Sequence, residues 1–534
     1  MRWWSARRRL RGVLMVVFAL LLSLGFSVFV AGEETVLRIA TAVRPPTLDT
    51  QASPATVTFE LALQMFDTLF AYDRNFALIP QLAETAELSE DQLVWRIGLR
   101  RGVLFHDGTE MKAEDVKASI LRFRQVSPRG GSLDPINDIV VVDDYTIEIH
   151  TTTPILRFRE YMALEDSYAV IMPAHVLLKA DGQIKGMGEL RVPEDYIGTG
   201  PFELVEWIPG ERIVMVKSAS YHPFTGLPAS GFGGDREALV DKLIFLPTPE
   251  KSARWAALKA GEVDIAKDLP TRLYSELVAD PELQPIIAEP REKLNLIINT
   301  TESSPFHDVL LRRAVQAALD NTAIMEAVTA GRPEFYNVDC GAPWFEEQVW
   351  YSDCGCTLGT FNQHDVARAK QLMEEAGYDG EPLILVSNND YDSMYRASIV
   401  VLGQLREAGF NVTLEVYDWP TQSSIVWGSH EGWDLGYTTN GPRFDPLGWE
   451  SYMGPAKVGY DNPEIQRLMA EQANEMDFDK RHAIWMEIQE ILQYDVPYIW
   501  HGEFKTLQGA ASSVEGYSAW VYAAARLWNV SLED

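Results

Sequence analysis

The chain has 534 residues, a formal net charge of −31 from 46 basic and 77 acidic side chains, and three cysteines. Hydrophobic residues make up 46% of it, which excludes a disordered chain, and the length predicts more than one domain. A surface this acidic repels phosphate backbones, so we expect no nucleic-acid partner.

Residues 1–32 have the parts of an export signal. Five arginines precede an apolar run, and small residues end that run ahead of Glu33. We predict cleavage after Gly32, which takes the net charge from −31 to −36 because the removed segment holds five arginines and no acid. An uncleaved membrane anchor is the alternative, since about 20 apolar residues span a bilayer. In both cases the rest of the chain is exported, to the periplasm or the extracellular face of the cell membrane.

Short strands and helices alternate along the first half of the chain and continue into the second. Period-2 and period-3.6 hydrophobic patterns, with Gly and Pro as boundaries, define them. In chain order they are strand 36–41, helix 59–70, strand 93–99, helix 113–123, a hairpin over 140–150 that turns at Asp143 and Asp144, helix 252–259 and helix 364–376.

Residues 382–416 predict a strand–helix–strand unit. Strands 382–386 and 412–416 flank a helix over 394–408 that ends at Gly409. Short loops imply parallel strands with a right-handed crossover. Ligands on such sheets lie beyond the carboxyl ends of the strands, here residues 387–390 and 417–419. This unit therefore predicts a polar and aromatic crevice in the second half of the chain.

No catalytic or metal-binding constellation is visible. None of the nine histidines pairs at the spacing of metal ligands, and no nucleophile elbow is present. His106-Asp107-Gly108 is typical of a turn. Gly198-Thr199-Gly200-Pro201 lacks the lysine of a phosphate-binding loop. We predict a protein that is not an enzyme, with no cofactor and no metal.

Cys340, Cys354 and Cys356 lie within 17 residues of each other. An exported chain favours one disulfide, from Cys340 to either Cys354 or Cys356, with one thiol left over. Free thiols are an alternative, and a metal site is a third one that lacks a fourth ligand at a usual spacing. The spacing does not choose the partner of Cys340.

The segment 427–452 contains six aromatic rings interleaved with Asp, Asn and Arg. Aromatic faces with a few hydrogen-bonding groups are what a pocket for an organic solute needs. The same rings are equally suited to core packing, and we expect about half of them in each role.

Several sequence blocks resemble the dipeptide/oligopeptide/nickel class of solute-binding proteins of ABC importers, also called extracellular solute-binding family 5. Together they cover nearly the whole mature chain in the right order. They are LRRGVLFHDGT at 99–109 with AEDV at 113–116, GTGPF at 198–202 with EW at 206–207, ALKAGEVDI at 257–265, and Asn299 with PFHD at 305–308, RRAV at 312–315 and ALD at 318–320.

This resemblance implies an α/β, two-lobed periplasmic-binding-protein fold of type II, with an extra inserted subdomain in lobe 1. Two crossing strands, near 283–292 and 494–503, would form the hinge. The implied division is a signal peptide at 1–32, a lobe 1 core at 33–55, 190–288 and 500–534, an inserted subdomain at 56–189, and lobe 2 at 289–499.

The resemblance also implies a function. The chain would be the monomeric, extracytoplasmic substrate-binding component of an ABC importer, with the membrane permease as its partner and a peptide or peptide-like solute in the cleft. An oligosaccharide or other organic solute is one alternative, and a receptor that senses its ligand without a permease is another. A secreted hydrolase is an alternative of a different class, for which Asp434 and Asp445 are the only nearby acidic pair.

In peptide-binding members of this class, the Asp of a Trp-x-x-Asp segment pairs with the α-amino group. Here Tyr437 replaces the Trp and Asn440 replaces the Asp, so the position offers no charge to an ammonium group. Asp445, five residues on, is the suggested substitute. The candidate ligand-binding residues are Tyr437, Thr438, Asn440, Trp419, Trp427, Phe444, Asp445, Trp344 on the cysteine loop, and Thr56 from the first lobe.

Overall fold

The computed structural model describes residues 34–163, 168–289, 292–520 and 524–533. The predicted signal segment lies outside the described residues. Among the helices that are described, none combines the length and the apolar character needed to cross a membrane.

The strands of the described residues are mostly five to eight residues long where they form the large sheets. In chain order they are β1 Val36–Thr41, β2 Phe70–Tyr72, β3 Leu78–Pro80, β4 Ala83–Leu88, β5 Val94–Leu99, β6 Ile136–Asp143, β7 Thr146–Thr151, β8 Phe202–Ile208, β9 Arg212–Lys217, β10 Lys242–Pro247, β11 Ile265–Leu269, β12 Leu283–Ile287, β13 Glu292–Ile298, β14 Tyr336–Asn337, β15 Leu383–Asn388, β16 Val412–Tyr417, β17 Leu435–Asn440, β18 Tyr498–Phe504, β19 Leu507–Ala511, β20 Val514–Glu515, β21 Ser518–Trp520, β22 Ala524–Arg526 and β23 Ser531–Leu532.

The α-helices of the described residues range from single turns to five turns. In chain order they are α1 Thr56–Met65, α2 Ala113–Val126, α3 Phe158–Tyr161, α4 Ala174–Leu177, α5 Lys251–Lys259, α6 Tyr274–Ala279, α7 Val309–Ala318, α8 Asn321–Val328, α9 Cys354–Thr357, α10 Val366–Glu375, α11 Asp392–Ala408, α12 Trp419–Ser424, α13 Pro455–Val458, α14 Pro463–Asn474 and α15 Phe478–Asp495.

Two large mixed sheets organise the fold. The first has the strand order β12-β19-β11-β1-β10-β9-β8, and the second has the order β14-β18-β13-β17-β15-β16. A four-stranded antiparallel sheet, β4-β5-β7-β6, shares one continuous hydrophobic core with the first large sheet. We call residues 292–504 the second lobe and the other described residues the first lobe.

The chain passes between the two large sheets twice. It leaves the first sheet after Ile287 and enters the second at Glu292, within the predicted crossing at 283–292. It returns after Phe504, just beyond the predicted range 494–503, because β18 stays paired with β13 up to that residue. Strand β18 thus extends to Phe504, and the predicted division of the chain into a lobe 1 core, an inserted subdomain and lobe 2 stays a prediction.

The two crossings are joined to each other. The backbone amide of Ala288 donates to the carbonyl of Thr506 at 3.1 Å. The Lys505 ammonium forms an ion pair with the Glu289 carboxylate. Both connections between the sheets therefore run side by side.

The strand–helix–strand prediction is confirmed. Strand β15, helix α11 and strand β16 follow each other, and β15 pairs with β16 in parallel. Gly409 ends the helix in the left-handed conformation, φ 104°, which favours glycine. Strand β17 pairs with the other side of β15, also in parallel, so three strands end at the predicted crevice.

Two of the motif blocks meet in the first lobe. The imidazole of His106 accepts from the amide of Gly198 at 3.2 Å and contacts the carbonyl of Gly200 at 3.0 Å. Any side chain at Gly198 or Gly200 would collide with the backbone of Met65, because an added Cβ would lie 2.1 or 2.5 Å from its nearest atom. These blocks thus serve packing, as the turn interpretation predicts.

The predicted disulfide is confirmed, and Cys356 is the partner of Cys340. Cys354 is the remaining thiol and is buried, which raises its pKa. In the part of the chain that the structure describes, no cluster of three or more His, Cys, Asp or Glu side chains is arranged to hold a metal ion.

Candidate functional site

A cavity of about 400 Å³ opens at the end of strand β17, beside the start of helix α12. Both lobes contribute to its wall. The lining residues are Pro54, Thr56 and Phe59 from the first lobe and Glu292, Trp419, Trp427, Thr438, Thr439, Asn440, Gly441, Arg443, Tyr452 and Lys457 from the second. Its volume lies in the range of small-molecule sites, and aromatic rings alternate with polar groups around it.

Strand β17 supplies one side of the cavity. Thr438 and Asn440, two of the candidate ligand-binding residues, line it. Tyr437 does not, because its ring packs in the hydrophobic core of the second lobe. Its ring is fully buried, and its hydroxyl lies 3.0 Å from Nε2 of His501, whose Nδ1 lies 2.8 Å from Oδ1 of Asn321. Burial lowers the pKa of His501 to about 3, so Tyr437 belongs to a neutral core network.

Among the described residues, the side-chain amide of Asn440 has a hydrogen-bond partner for its nitrogen but none for its oxygen. Its Nδ2 donates to the hydroxyl of Tyr452 at 3.0 Å. Its Oδ1 is buried and, among the described residues, has no hydrogen-bond partner. A buried acceptor without a partner costs free energy, which a donor on a bound solute would recover.

Two predicted tryptophans lie at the cavity. Trp419 is the first residue of α12 and packs edge-on against Tyr391, with ring centroids 5.4 Å apart. Trp427 packs edge-on against Tyr452 at 6.2 Å. Thr56, at the start of α1, faces them from the first lobe. The cavity therefore offers apolar ring surface from the second lobe and a hydroxyl from the first.

Positive charge lies beside Trp427. The Lys457 ammonium lies 4.9 Å from the ring centroid of Trp427 and 5.4 Å from that of Tyr452, within the range of a cation–π contact. Burial lowers the pKa of Lys457, and the nearby Arg443 guanidinium lowers it further.

Negative charge enters the cavity from Glu292, a residue that the sequence reasoning missed. Glu292 is the first residue of β13, and its side chain lines the cavity together with Thr439 of β17. Burial raises the pKa of Glu292, and the nearby Asp268 carboxylate adds to this effect. No motif marks this position, because only the pairing of β13 with β17 brings it to the cavity.

Phe444 and Asp445 do not line the cavity, although both were predicted to. The Phe444 ring inserts into an aromatic cluster of the first lobe, with ring centroids 4.8 Å from Tyr72 and 5.1 Å from Phe76. Asp445 forms a bidentate ion pair with Arg481, both contacts at 2.6 Å. Its charge is thereby used inside the protein and is not offered to a solute.

Trp344 is also part of the core. It is fully buried and packs against Trp350, Trp449 and Trp485, with ring centroids 5.8 to 6.4 Å apart. The structure thus brings Thr56, Trp419, Trp427, Thr438 and Asn440 together at the cavity and places the other four predicted residues elsewhere.

The acidic pair suggested for a hydrolase is not assembled at the cavity. The Asp434 carboxylate accepts from the amide of Ile384 at 2.8 Å and from the hydroxyl of Ser304 at 3.2 Å. Asp445 is engaged by Arg481. Neither carboxylate lines the cavity.

Comparison with known proteins gives a consistent result. The family model described as bacterial extracellular solute-binding proteins, family 5 Middle, matches residues 77–455. The probable peptide ABC transporter periplasmic-binding protein y4tO of Sinorhizobium fredii is 27% identical over 476 residues, which is 84% of this chain and 85% of that protein. The glutathione-binding protein GsiB of Pectobacterium atrosepticum is 23% identical over 477 residues, 86% of each chain.

A solved structure shares the fold. The periplasmic binding protein DppA from Helicobacter pylori, in complex with the peptide STSA, aligns over 93% of this chain and 98% of its own, with a TM-score of 0.72 and 21% identity. This likeness shows the two-lobed α/β fold of type II periplasmic binding proteins.

Proposed function

Because the chain belongs to family 5 of the bacterial extracellular solute-binding proteins, we propose that it is the extracytoplasmic solute-binding component of an ABC importer and binds a peptide or peptide-like solute in the cavity described above. The relative named as a probable peptide ABC transporter periplasmic-binding protein supports the importer assignment. The predicted export signal supports a location of the protein outside the cytoplasm.

The observation that carries the proposal is the make-up of the cavity. A strand end formed by Thr438, Thr439, Asn440 and Gly441 borders a volume of about 400 Å³, and Oδ1 of Asn440 has no hydrogen-bond partner among the described residues. An extended peptide meets such an edge with its own amides and carbonyls. Trp419 and Trp427 supply faces for its side chains.

Because both lobes contribute to one cavity, solute binding is coupled to closure of the lobes. A solute that touches Thr56 and Thr438 at once binds the closed arrangement better than an open one, so it shifts the population toward closure. The closed, loaded protein is the form that the membrane permease would receive. No chemical step is part of this proposal.

The test is a thermal-shift and calorimetric screen of the mature chain against di- to pentapeptides, oligosaccharides and metal chelates. A true ligand at 100 times its dissociation constant adds about 2.7 kcal/mol to the free energy of unfolding. We expect peptides to bind and Asn440→Ala to weaken them, while the matched variant Tyr437→Phe, altered only in the core, keeps its affinity. Binding of oligosaccharides alone would favour that alternative, and turnover of a bound peptide or glycoside would favour a hydrolase.

A further inference from the structure

We propose that a second cavity of the second lobe binds a small, neutral, apolar molecule that carries one hydrogen-bond acceptor, such as a carbonyl group. The cavity lies between the 3₁₀-helical segment Pro446–Tyr452 and helix α14, and its volume is about 240 Å³. The site is distinct from the solute cavity, so it does not rest on the proposed function. The lining residues are Leu447, Glu450, Met453, Gly454, Gln466, Met469, Ala470, Gln472 and Ala473.

The floor of this second cavity is apolar, and its rim is polar. Leu447, Met453 and Met469 are more than nine-tenths buried, whereas Glu450 and Gln466 are exposed. Methionine side chains are unbranched and flexible, so the floor can adapt to the shape of an apolar occupant. Removal of the apolar surface of such an occupant from water is the main driving force for its binding.

A hydrogen-bond donor in the wall lacks an acceptor. Gln472 is fully buried, and its Oε1 accepts from Nε of Arg481 at 3.0 Å. Because a guanidinium only donates, this contact fixes which end of the amide is the oxygen. Nε2 of Gln472 is the remaining donor, and among the described residues it has no hydrogen-bond partner. An acceptor on a bound molecule would recover the free energy that a buried donor without a partner costs.

Water is a poorer occupant of this cavity than an organic molecule. A buried water molecule makes about three hydrogen bonds. Of the buried side chains in the lining, the amide of Gln472 is a strong hydrogen-bonding group, whereas Leu447, Met453 and Met469 are apolar. Displacement of poorly held water by an apolar group increases affinity.

The charges around the cavity favour a neutral acceptor. The two terminal nitrogens of Arg481 are already used by Asp445, at 2.6 Å each. Glu450 is the one charged residue of the described lining, and its carboxylate repels an anion. An ammonium group offers no acceptor to Nε2 of Gln472. A ketone, ester or amide carbonyl on an apolar body meets these requirements.

The second cavity can be occupied at the same time as the solute cavity. Segment Pro446–Tyr452 contributes to both walls, since Leu447 and Glu450 line the second cavity and Tyr452 lines the solute cavity. As far as the structure describes the chain, the two linings have no residue in common.

The experiment is methyl NMR of the mature chain labelled with ¹³C-methyl methionine, because Met453 and Met469 both line the cavity. Their signals are assigned with Met453→Leu and Met469→Leu. Acetophenone is the probe with an acceptor, and ethylbenzene is a probe of similar shape without one. Each probe is titrated into wild type, Gln472→Met and the matched control Gln371→Met, at an exposed position of α10. Circular dichroism and the methionine signals away from the cavity check that each variant is folded.

We expect acetophenone to shift both methionine signals saturably in wild type and in Gln371→Met. Gln472→Met removes the donor, while Nε of Arg481 keeps the main-chain carbonyl of residue 472 as an acceptor at 3.2 Å. This variant should raise the dissociation constant of acetophenone about three- to tenfold, the size of one net hydrogen bond. The dissociation constant of ethylbenzene should stay within about twofold, because ethylbenzene makes no such bond.

Gly454→Leu tests the position of the site. Gly454 has an extended backbone, φ −139°, which any residue adopts, and an added Cβ would meet no atom within 4 Å. The leucine side chain therefore has room to occupy part of the cavity. We expect the shifts of the Met453 and Met469 signals to disappear with both probes.

Three outcomes would overturn the proposal. The first is the absence of saturable shifts at Met453 and Met469 in wild type. The second is shifts that persist in Gly454→Leu, which would place the probes elsewhere. The third is an equal effect of Gln472→Met on acetophenone and ethylbenzene, which would show that the amide does not recognise the carbonyl. Neither probe is a peptide, so the proposed function stands or falls separately.

Discussion

Two histidines, the half-buried His106 and the fully buried His501, act as neutral groups in the native protein. His106 accepts a hydrogen bond from the amide of Gly198 and contacts the carbonyl of Gly200. His501 lies between the hydroxyl of Tyr437 and the side chain of Asn321 and contacts both. Burial lowers the pKa of His106 to about 4 and that of His501 to about 3. Protonation of His501 would place a charge in the core, and protonation of His106 would remove the acceptor that the Gly198 amide uses.

A loss of stability at mildly acidic pH follows from these shifts. The unfolded chain takes up a proton on each of these histidines near pH 6.5 and the native protein does so only near pH 3 to 4, so stability is complete above pH 6.5 and falls as the pH is lowered. Between pH 7 and pH 5 we expect His501 alone to account for about 2 kcal/mol of the lost unfolding free energy.

Urea unfolding at the two pH values, in wild type and His501→Gln, measures this contribution. The variant should lose less stability between pH 7 and pH 5 than wild type does. His222→Gln, at an exposed position, should behave like wild type. An identical pH dependence in all three proteins would show that His501 is not held neutral.

The positions of three consecutive side chains after β17 could not be predicted from the sequence. Arg443 lines the cavity, Phe444 enters the core of the first lobe, and Asp445 pairs with Arg481 from a helix 36 residues on. The polar and aromatic character of the segment is visible in the sequence, and Trp427 and Asn440 do lie at the cavity. The destinations of Phe444 and Asp445 depend on tertiary partners that no local pattern encodes.

At the scale of elements, hydrophobic periodicity was sufficient for the strand–helix–strand unit. Strands β15 and β16 and helix α11 lie within a few residues of their predicted bounds, since Gly409 ends the helix and the apolar positions keep one face. The prediction over 59–70 was less accurate. Helix α1 ends at Met65, and β2 begins at Phe70. Residues 58–72 are buried throughout, so their apolar residues do not show where the helical period ends and the strand period begins.

The cysteine loop is the element with the clearest chemical test. The bond between Cys340 and Cys356 closes a loop of 16 residues' separation, and Cys354 stays a thiol. We expect one titratable thiol in the unfolded, unreduced protein and none in Cys354→Ser. Opening the loop with Cys356→Ser should lower the unfolding free energy by about 3 kcal/mol, because the unfolded chain is no longer constrained. Three thiols in the unreduced protein would contradict the bond.

At the scale of the whole molecule, Phe444 joins the two lobes. Its carbonyl accepts from the indole of Trp350 in the second lobe, at 3.3 Å, while its ring packs against Tyr72 and Phe76 in the first. Phe444→Ala should lower the unfolding free energy by about 3–5 kcal/mol and also loosen the contact between lobes. Small-angle scattering of the unliganded variant should then show a larger radius of gyration than wild type.

Phe306→Ala is the matched control, since Phe306 is equally buried but lies wholly within the core of the second lobe. It should lose comparable stability without a change in radius. If Phe444→Ala and Phe306→Ala have the same radius as wild type, the Phe444 ring does not govern the separation of the lobes.

The two adjacent crossings between the sheets make the second lobe exchangeable between related proteins. All strands of the second large sheet lie in one uninterrupted stretch of chain, 292–504, and the segments at its two ends are one hydrogen bond apart, between Ala288 and Thr506. A segment whose two ends are adjacent can be replaced by another such segment, because the flanking backbone does not have to move. Replacing the second lobe of a related protein with residues 292–504 should therefore transfer the solute preference. The recipient protein would need an aromatic cluster in its first lobe to pack against Phe444.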